Sequence, residues 1–231
     1  MMGFVITIDG PAASGKTSVS RMLAQKLGWS WVSTGAFYRG LAFVARETGC
    51  DLQSEDQLSQ LSKSDRWNVS MGELKTHVFF DGQDVTDSIS EESVGSIASL
   101  ISHFPRVRAS LLAGQRKFQE STEGLVAEGR DCGTVVFPTA EVKIFLTANS
   151  ENRAQRRAKE LGLNVQETIL AQKQRDSQDS NRKAAPMQIP QNALVVDTSS
   201  KNLNQVVEEI EQYVTAKFKN LKLTHSTTDK K

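Results

Sequence analysis

The chain has little cysteine and little histidine. Its two cysteines, Cys50 and Cys132, stand far apart among 231 residues, and its three histidines, His77, His103 and His225, share no spacing. That pattern excludes a disulfide framework and a Cys/His metal cage, and free thiols in a reducing cytoplasm are the expectation. Long apolar runs are missing too: none approaches the roughly 20 residues of a membrane-spanning helix. Nor is there an excess of either charge. With 28 Lys and Arg against 27 Asp and Glu, the formal net charge is +1. No overall field therefore points to DNA, RNA or a membrane surface, and any cationic chemistry has to be local. There is no internal repeat, and no Ser-His or His-Asp arrangement that would supply a general base. The first residues read as a strand rather than as a cleavable leader.

What is present is concentrated near the start. Gly10-Pro11-Ala12-Ala13-Ser14-Gly15-Lys16-Thr17-Ser18 fits the phosphate-loop pattern of Gly, four residues, Gly, Lys, then Ser or Thr. Phe4 to Ile8 before it is a short, β-branched apolar run that reads as a buried strand. Ser18 to Leu27 after it carries Val19, Met22, Leu23 and Leu27 at helical spacing, ending near Gly28. Glycines let the backbone wrap an anion so that several N–H groups point inward, and the helix N-terminus adds unsatisfied donors. Lys16 can reach the β- and γ-phosphates of a nucleoside triphosphate, and the Thr17 hydroxyl can hold Mg²⁺.

Further along, Trp29 to Ser33 reads as a second strand, followed by a helix from Thr34, its expected N-cap, to about Gly49. Asp51 to Ser64 reads as a short polar helix. From Trp67 to Val85 the texture changes to short alternating runs with an Asp81-Gly82 turn, a small antiparallel meander inserted in a β/α alternation. Helices are expected from Glu91 to Ser102 and from Pro105 to about Phe118, with Arg106 and Arg108 in the first turn of the second. Two cations at a positive helix end are locally unfavourable; either solvent or an anionic partner faces them. Strands are expected at Gly124–Ala127, Val142–Leu146 and Ala193–Asp197. Asn149 and Ser150 cap a basic helix carrying Arg153, Arg156 and Arg157. Arg175, Asp179 and Arg182 lie at i, i+4 and i+7 on a further helix from Val165, either a surface ion-pair ladder or a grip on a ligand. Leu203 to Val214 is a clear helix, and from Lys219 the chain reads as a disordered tail.

Strands alternating with helices imply an α/β fold: a five-stranded parallel sheet flanked by helices. Ligands bind at the carboxyl edge of such a sheet. Arg39, Arg130, Arg153, Arg157, Arg175 and Arg182 all follow strands or lie on the basic helices, more cations than one triphosphate needs. Planar guanidinium forks match phosphate oxygens, so a second anionic substrate is indicated. If that substrate is a phosphate monoester, its second pKa of about 6 leaves the attacking oxygen already deprotonated at pH 7. No general base is then required, and catalysis is positioning plus charge stabilisation.

Five segments carry a family resemblance. They are Ile6-Thr7-Ile8-Asp9-Gly10-Pro11, Ser33-Thr34-Gly35-Ala36-Phe37-Tyr38-Arg39, Phe104-Pro105-Arg106-Val107-Arg108, Glu128 to Pro138, and Arg175-Asp176 with Asp179 to Arg182 before Ala185-Pro186. In one collinear order over about residues 3–215, they resemble bacterial cytidylate kinases. The resemblance implies Mg²⁺-dependent transfer from ATP to CMP or dCMP by a cytoplasmic, monomeric enzyme with no nucleic-acid or membrane partner. It implies that Arg39, Arg130 and Arg182 grip the acceptor phosphate with Thr34 and Tyr38 beside it. Ser99, Arg108 and Asp131 would read the cytosine edge, Arg175 and Asp179 would hold the ribose, and Arg153 and Arg157 would lie on a mobile cover over ATP. Thr34 and Cys132 stand where the family pattern has Ser and Met, and Thr17 where it often has Gly. The implied domains are a core of residues 1–33 and 124–218, a monophosphate-binding domain of 34–123 with the insertion near 67–85, a cover of 153–182 within the core, and the tail of 219–231. Other readings are a kinase of the same fold acting on UMP or on a hydroxyl acceptor, and a nucleotide-binding switch; a hydroxyl acceptor would call for a base, and none is found.

Overall fold

The computed structural model describes residues 3–72, 75–162 and 164–228. The first strand, β1 (Phe4–Asp9), is buried from Val5 onward, as a strand covered on both faces must be. It leads through the glycine loop into α1 (Lys16–Leu27), which closes on a left-handed Gly28. Then come β2 (Ser30–Ser33), α2 (Gly35–Thr48) and α3 (Glu55–Leu61). The last is shorter than expected, because Asp51 turns the chain by accepting the Gln53 N–H at 2.9 Å and Ser54 caps the helix by accepting from Gln57 N. The insertion is β3 (Trp67–Met71), β4 (Thr76–Phe80) and β5 (Gln83–Asp84), a three-stranded antiparallel sheet. Next are α4 (Glu92–Ile101), α5 (Pro105–Glu120) with Pro105 in its first turn, β6 (Gly124–Gly129) and β7 (Val142–Thr147). A single π-helical turn, Cys132–Val136, lies between the last two strands. The chain ends with α6 (Ser150–Leu161), α7 (Val165–Ser180), β8 (Leu194–Asp197) and α8 (Leu203–Thr228).

The main sheet has five parallel strands in the order β2-β6-β1-β7-β8. Its register aligns Asp9 with Gly129 and Ser33 with Glu128. The polar residues that end these apolar strands therefore meet at one carboxyl edge, where α/β sheets take ligands. One face of the sheet packs on α1 and α8 through Val19, Leu23, Val207 and Ile210. The other packs Val5, Val32 and Leu125 against the π-helical turn and Leu112 of α5. A separate apolar cluster joins α2, α4 and α5 to the small sheet through Leu41, Ile101, Trp67 and Val78.

Two expectations give way. Arg182 does not continue the helical stripe, because α7 ends at Ser180 and its cap Asn181 leaves helical geometry. The last helix runs on to Thr228 where a tail is expected from Lys219, and 229–231 lie outside the described residues. Adding residues to a nucleated helix is cheap, and the Lys and Leu residues beyond 219 are good helix formers. Among the described residues no helix is long and apolar enough to cross a membrane.

One buried polar contact fixes α1 to β2. The Trp31 indole N–H donates to Ser20 Oγ at 2.7 Å, with Ser20 fully buried. Ser20→Ala strands that donor and is expected to cost about 1–3 kcal/mol, read as a lower urea midpoint at unchanged slope. An unchanged midpoint would contradict the assignment.

Candidate active site

The carboxyl edge of the sheet opens into a cleft of about 340 Å³. Its floor is the glycine loop. Gly10 has φ +149°, and a Cβ there would lie 2.2 Å from the Leu146 carbonyl, so the loop can enter this way only through glycine. Ala12, Ala13, Gly15, Lys16, Thr17 and Ser18 line the cleft, whereas Gly10, Pro11 and Ser14 lie behind that surface. Lys16 is buried and donates Nζ–H to the Pro11 carbonyl at 2.6 Å. Burial, seconded by the nearby Arg130 charge, pulls its pKa down to about 7.

Arg39, Arg130 and Arg182 share this hollow with Lys16. Arg130 is aimed by two bonds: Nε donates to Asp179 Oδ2 and Nη1 to the Gly10 carbonyl, each at 2.7 Å. Arg182 donates Nε–H to the Asp179 carbonyl at 3.3 Å and Nη1–H to Ser102 Oγ at 3.4 Å, but its buried Nη2 has no partner. Burial lowers its pKa from the usual guanidinium value, and Asp179 opposes that shift. Arg39 donates Nη1–H to the carbonyls of Ile89 (2.7 Å) and Glu91 (3.2 Å). Its guanidinium rests on α4, where a Cβ at Gly95 would come within 2.7 Å of Nη2 and push it aside.

The wall beyond the arginines is less cationic. Tyr38 and Ser99 line the cleft, with Arg108 5.3 Å above the Tyr38 ring. Arg108 is buried behind Asp131, donating Nη2–H to its carboxylate and Nη1–H to the Ser102 carbonyl at 3.2 Å. This answers the question left by the two cations at the start of α5. Arg108 turns inward to a carboxylate, while Arg106 pairs with Glu55 and Asp56 on the surface. Burial pushes the Tyr38 phenol up to about 12, so it is a neutral donor at any working pH. Arg157 reaches across the cleft to Glu92 of α4 at 2.6 Å. Arg153 lies behind the loop, donating to the Ala12 carbonyl at 3.1 Å and pairing with Asp176 at 2.7 Å. The Arg175 side chain falls outside the described residues.

Thr34 lines the cleft and stands at the N-cap position of α2 as expected, but its side chain makes no capping bond. Its hydroxyl donates instead to the Glu128 carbonyl at 3.0 Å, at the end of the β2–β6 pairing. Glu128 is itself a residue the sequence reading passed over. Its buried carboxylate accepts from Ser33 Oγ at 2.5 Å and from Thr17 Oγ1 at 3.4 Å. Asp9, equally overlooked, accepts two backbone N–H groups across the sheet end. Both had one visible signal, an acidic residue closing an otherwise apolar buried strand.

Comparison with known proteins gives one family. The family model described as cytidylate kinase matches residues 6–216. A cytidylate kinase of Bdellovibrio bacteriovorus is 61% identical over 217 residues, covering 94% of this chain and all of that protein. Cytidylate kinases of Aeromonas salmonicida and Vibrio cholerae are each 43% identical, covering 92% and 93% of this chain and 94% and 97% of their own. Among solved structures, a gluconokinase from Sinorhizobium meliloti aligns with a TM-score of 0.54 at 14% identity, covering 96% of this chain and 98% of its own; that likeness concerns the fold alone.

The depressed Lys16 pKa makes a prediction about stability. The folded state disfavours the ammonium, so between pH 7 and the unfolded value of 10.5 only the unfolded chain holds this proton. Stability from this group therefore rises with pH through that window. Lys16→Met is expected to remove that rise: in urea melts of ligand-free protein, wild type gains on the variant from pH 7 toward 10. A pH-independent difference would refute the assignment.

Proposed function

The chain belongs to the cytidylate kinase family, and we propose that it transfers the γ-phosphoryl group of ATP in line to the phosphate of CMP or dCMP. The observation that carries this reading is the buried, unpartnered Arg182 Nη2 beside Arg130 in the cleft that Lys16 also faces. An unmet guanidinium N–H away from water is costly, and a phosphate oxygen is the acceptor that suits it. The loop Gly10–Ser18 cradles the triphosphate with its backbone N–H groups and Lys16, whose pKa near 7 rises when phosphate oxygens surround it. Arg39, Arg130 and Arg182 hold the acceptor phosphate, with Thr34 and Tyr38 beside it. The Arg108–Asp131 pair and Ser99 meet the base: cytosine offers an N4 donor with N3 and O2 acceptors, which an acidic and a basic group complement together. Asp179 is set for the ribose with Arg175. Residues 34–123 act as the monophosphate-binding domain and 153–182 as the cover, where Arg157 faces the transferring phosphates while Arg153, expected beside it, is held behind the loop by the Ala12 carbonyl and Asp176. The attacking phosphate oxygen is already ionised at pH 7, so no side chain has to remove a proton.

The Mg²⁺ that such a kinase uses fits the oxygen donors present. The Thr17 hydroxyl and the Glu128 carboxylate stand 3.4 Å apart at the loop, and hard oxygen ligands are what this ion takes. Among the described residues no group of three or more His, Cys, Asp or Glu could hold a metal by itself. The remaining ligands would be phosphate oxygens and water. When bound, the ion neutralises charge on the β- and γ-phosphates.

A coupled assay across CMP, dCMP, UMP and AMP tests the reading: CMP and dCMP are expected to dominate kcat/KM, and a preference for UMP or AMP would reject it. Arg182→Ala is expected to lower kcat by about 10²–10³-fold, the usual cost of one charge-stabilising donor, with the fold intact by circular dichroism. Glu128→Gln is expected to raise the Mg²⁺ concentration for half-maximal rate severalfold while leaving KM for CMP near wild type. An unchanged Mg²⁺ dependence would remove Glu128 from that role.

A further inference from the structure

Asp9 ends β1 immediately before the phosphate loop, completely buried. Its two carboxylate oxygens are spent on one short piece of backbone. Oδ1 accepts the Cys132 N–H and Oδ2 the Gly133 N–H, each at 2.7 Å. These are the first two amides after Asp131, in the π-helical turn Cys132–Val136. Only a carboxylate offers two acceptor oxygens in such a fork; an amide side chain would face one of the two N–H groups with its own NH₂. The arrangement is costly, since burial raises the Asp9 pKa to about 6 against the help of those two bonds. The next residue repeats the pattern: the Gly10 carbonyl accepts from Arg130 Nη1 at 2.7 Å. The two residues at the mouth of the donor loop thus bond the Arg130 side chain and the backbone that immediately follows Asp131.

We propose that Asp9 is a positioning residue for base recognition: its fork on the Cys132 and Gly133 amides fixes the direction of the Asp131 carboxylate toward Arg108 and the cytosine edge. This rests on the reading of Asp131 given above. It makes the phosphate loop and the base pocket one mechanical unit, joined through a side chain that touches neither nucleotide.

The test is a double-mutant cycle of Asp9→Asn and Asp131→Ala, with KM for CMP and for ATP measured in all four proteins. Asp9→Asn is expected to raise KM for CMP about tenfold, the scale of one charge-assisted hydrogen bond, and to erode the preference for CMP over UMP. In the Asp131→Ala background the same change is expected to add less than about twofold, as for residues acting through one another. Asp9 also faces Lys16 and supports its charge, so any rise in KM for ATP should persist equally in both backgrounds. Additive costs on CMP, or an Asp9→Asn enzyme with unchanged CMP kinetics, would overturn the inference. If Asp9→Asn does not fold, hydrogen exchange in the wild-type protein decides. CMP alone is then expected to slow exchange at the Cys132 and Gly133 amides more than ATP alone, and equal or greater protection by ATP would overturn it. A wild-type protein that does not phosphorylate CMP would sink the functional reading itself; an active one with an additive cycle sinks only this inference.

Discussion

The parallel pairing of β1 with β6 is the constraint on which the site depends. Its register sets Ile8 beside Glu128 and Asp9 beside Gly129. Because side chains alternate along a strand, a slip of β1 by one residue would turn Asp9 to the opposite face, away from the Cys132 and Gly133 amides. The apolar runs Val5–Ile8 and Leu125–Ala127 hold the register, since both are buried throughout. The hydrophobic core thereby decides which polar residues meet. The glycine loop and the Arg130–Asp131 segment are consecutive with those strands, so neither can move without the other.

The cleft's charges explain how a chain of net charge +1 can seat polyanions. Arg130 has Asp179, Arg108 has Asp131 and Arg153 has Asp176. Lone buried cations would cost several kcal/mol each; pairing brings that down and fixes each guanidinium in one direction. The carboxylates are therefore part of the cation site. An anion entering the cleft would meet Arg130 already engaged by Asp179 and would share it with that internal partner. Arg182 is the exception in degree: its carboxylate contact with Asp179 is long, 3.9 Å, and one of its buried nitrogens has no partner. The strongest pull on an entering anion is consequently at Arg182.

Much of this was legible in the sequence, for a physical reason. Strand, glycine loop and helix are specified locally by apolar runs and backbone freedom, and the five core strands fall within a few residues of their expected bounds. The parts that were not legible depend on non-local contacts. Thr34 stands at the N-cap position that its sequence context indicates, but its hydroxyl is turned to the Glu128 carbonyl of β6, which no local pattern announces. Arg182 looks like a continuation of α7 until Asn181 ends the helix and turns the arginine inward toward Ser102 at the end of α4. Glu128 and Asp9 sit inside segments that were noticed for their neighbours, and their partners, Ser33 and the Cys132–Gly133 amides, lie far away in sequence. A carboxylate's role depends on what it faces, and only the assembled sheet edge decides that.

The two arginines one helical turn apart on α6, Arg153 and Arg157, differ in the same respect. Arg153 is buried and committed to the Ala12 carbonyl and Asp176, so losing those bonds would leave a guanidinium unsolvated. Arg157 spans the cleft to Glu92, with side chains 20% and 49% exposed. An ion pair that accessible to water contributes at most about 1 kcal/mol, and its glutamate is readily rehydrated. The pair with Glu92 is therefore cheaper to open to an entering anion than the buried contacts of Arg153, which register α6 on the loop.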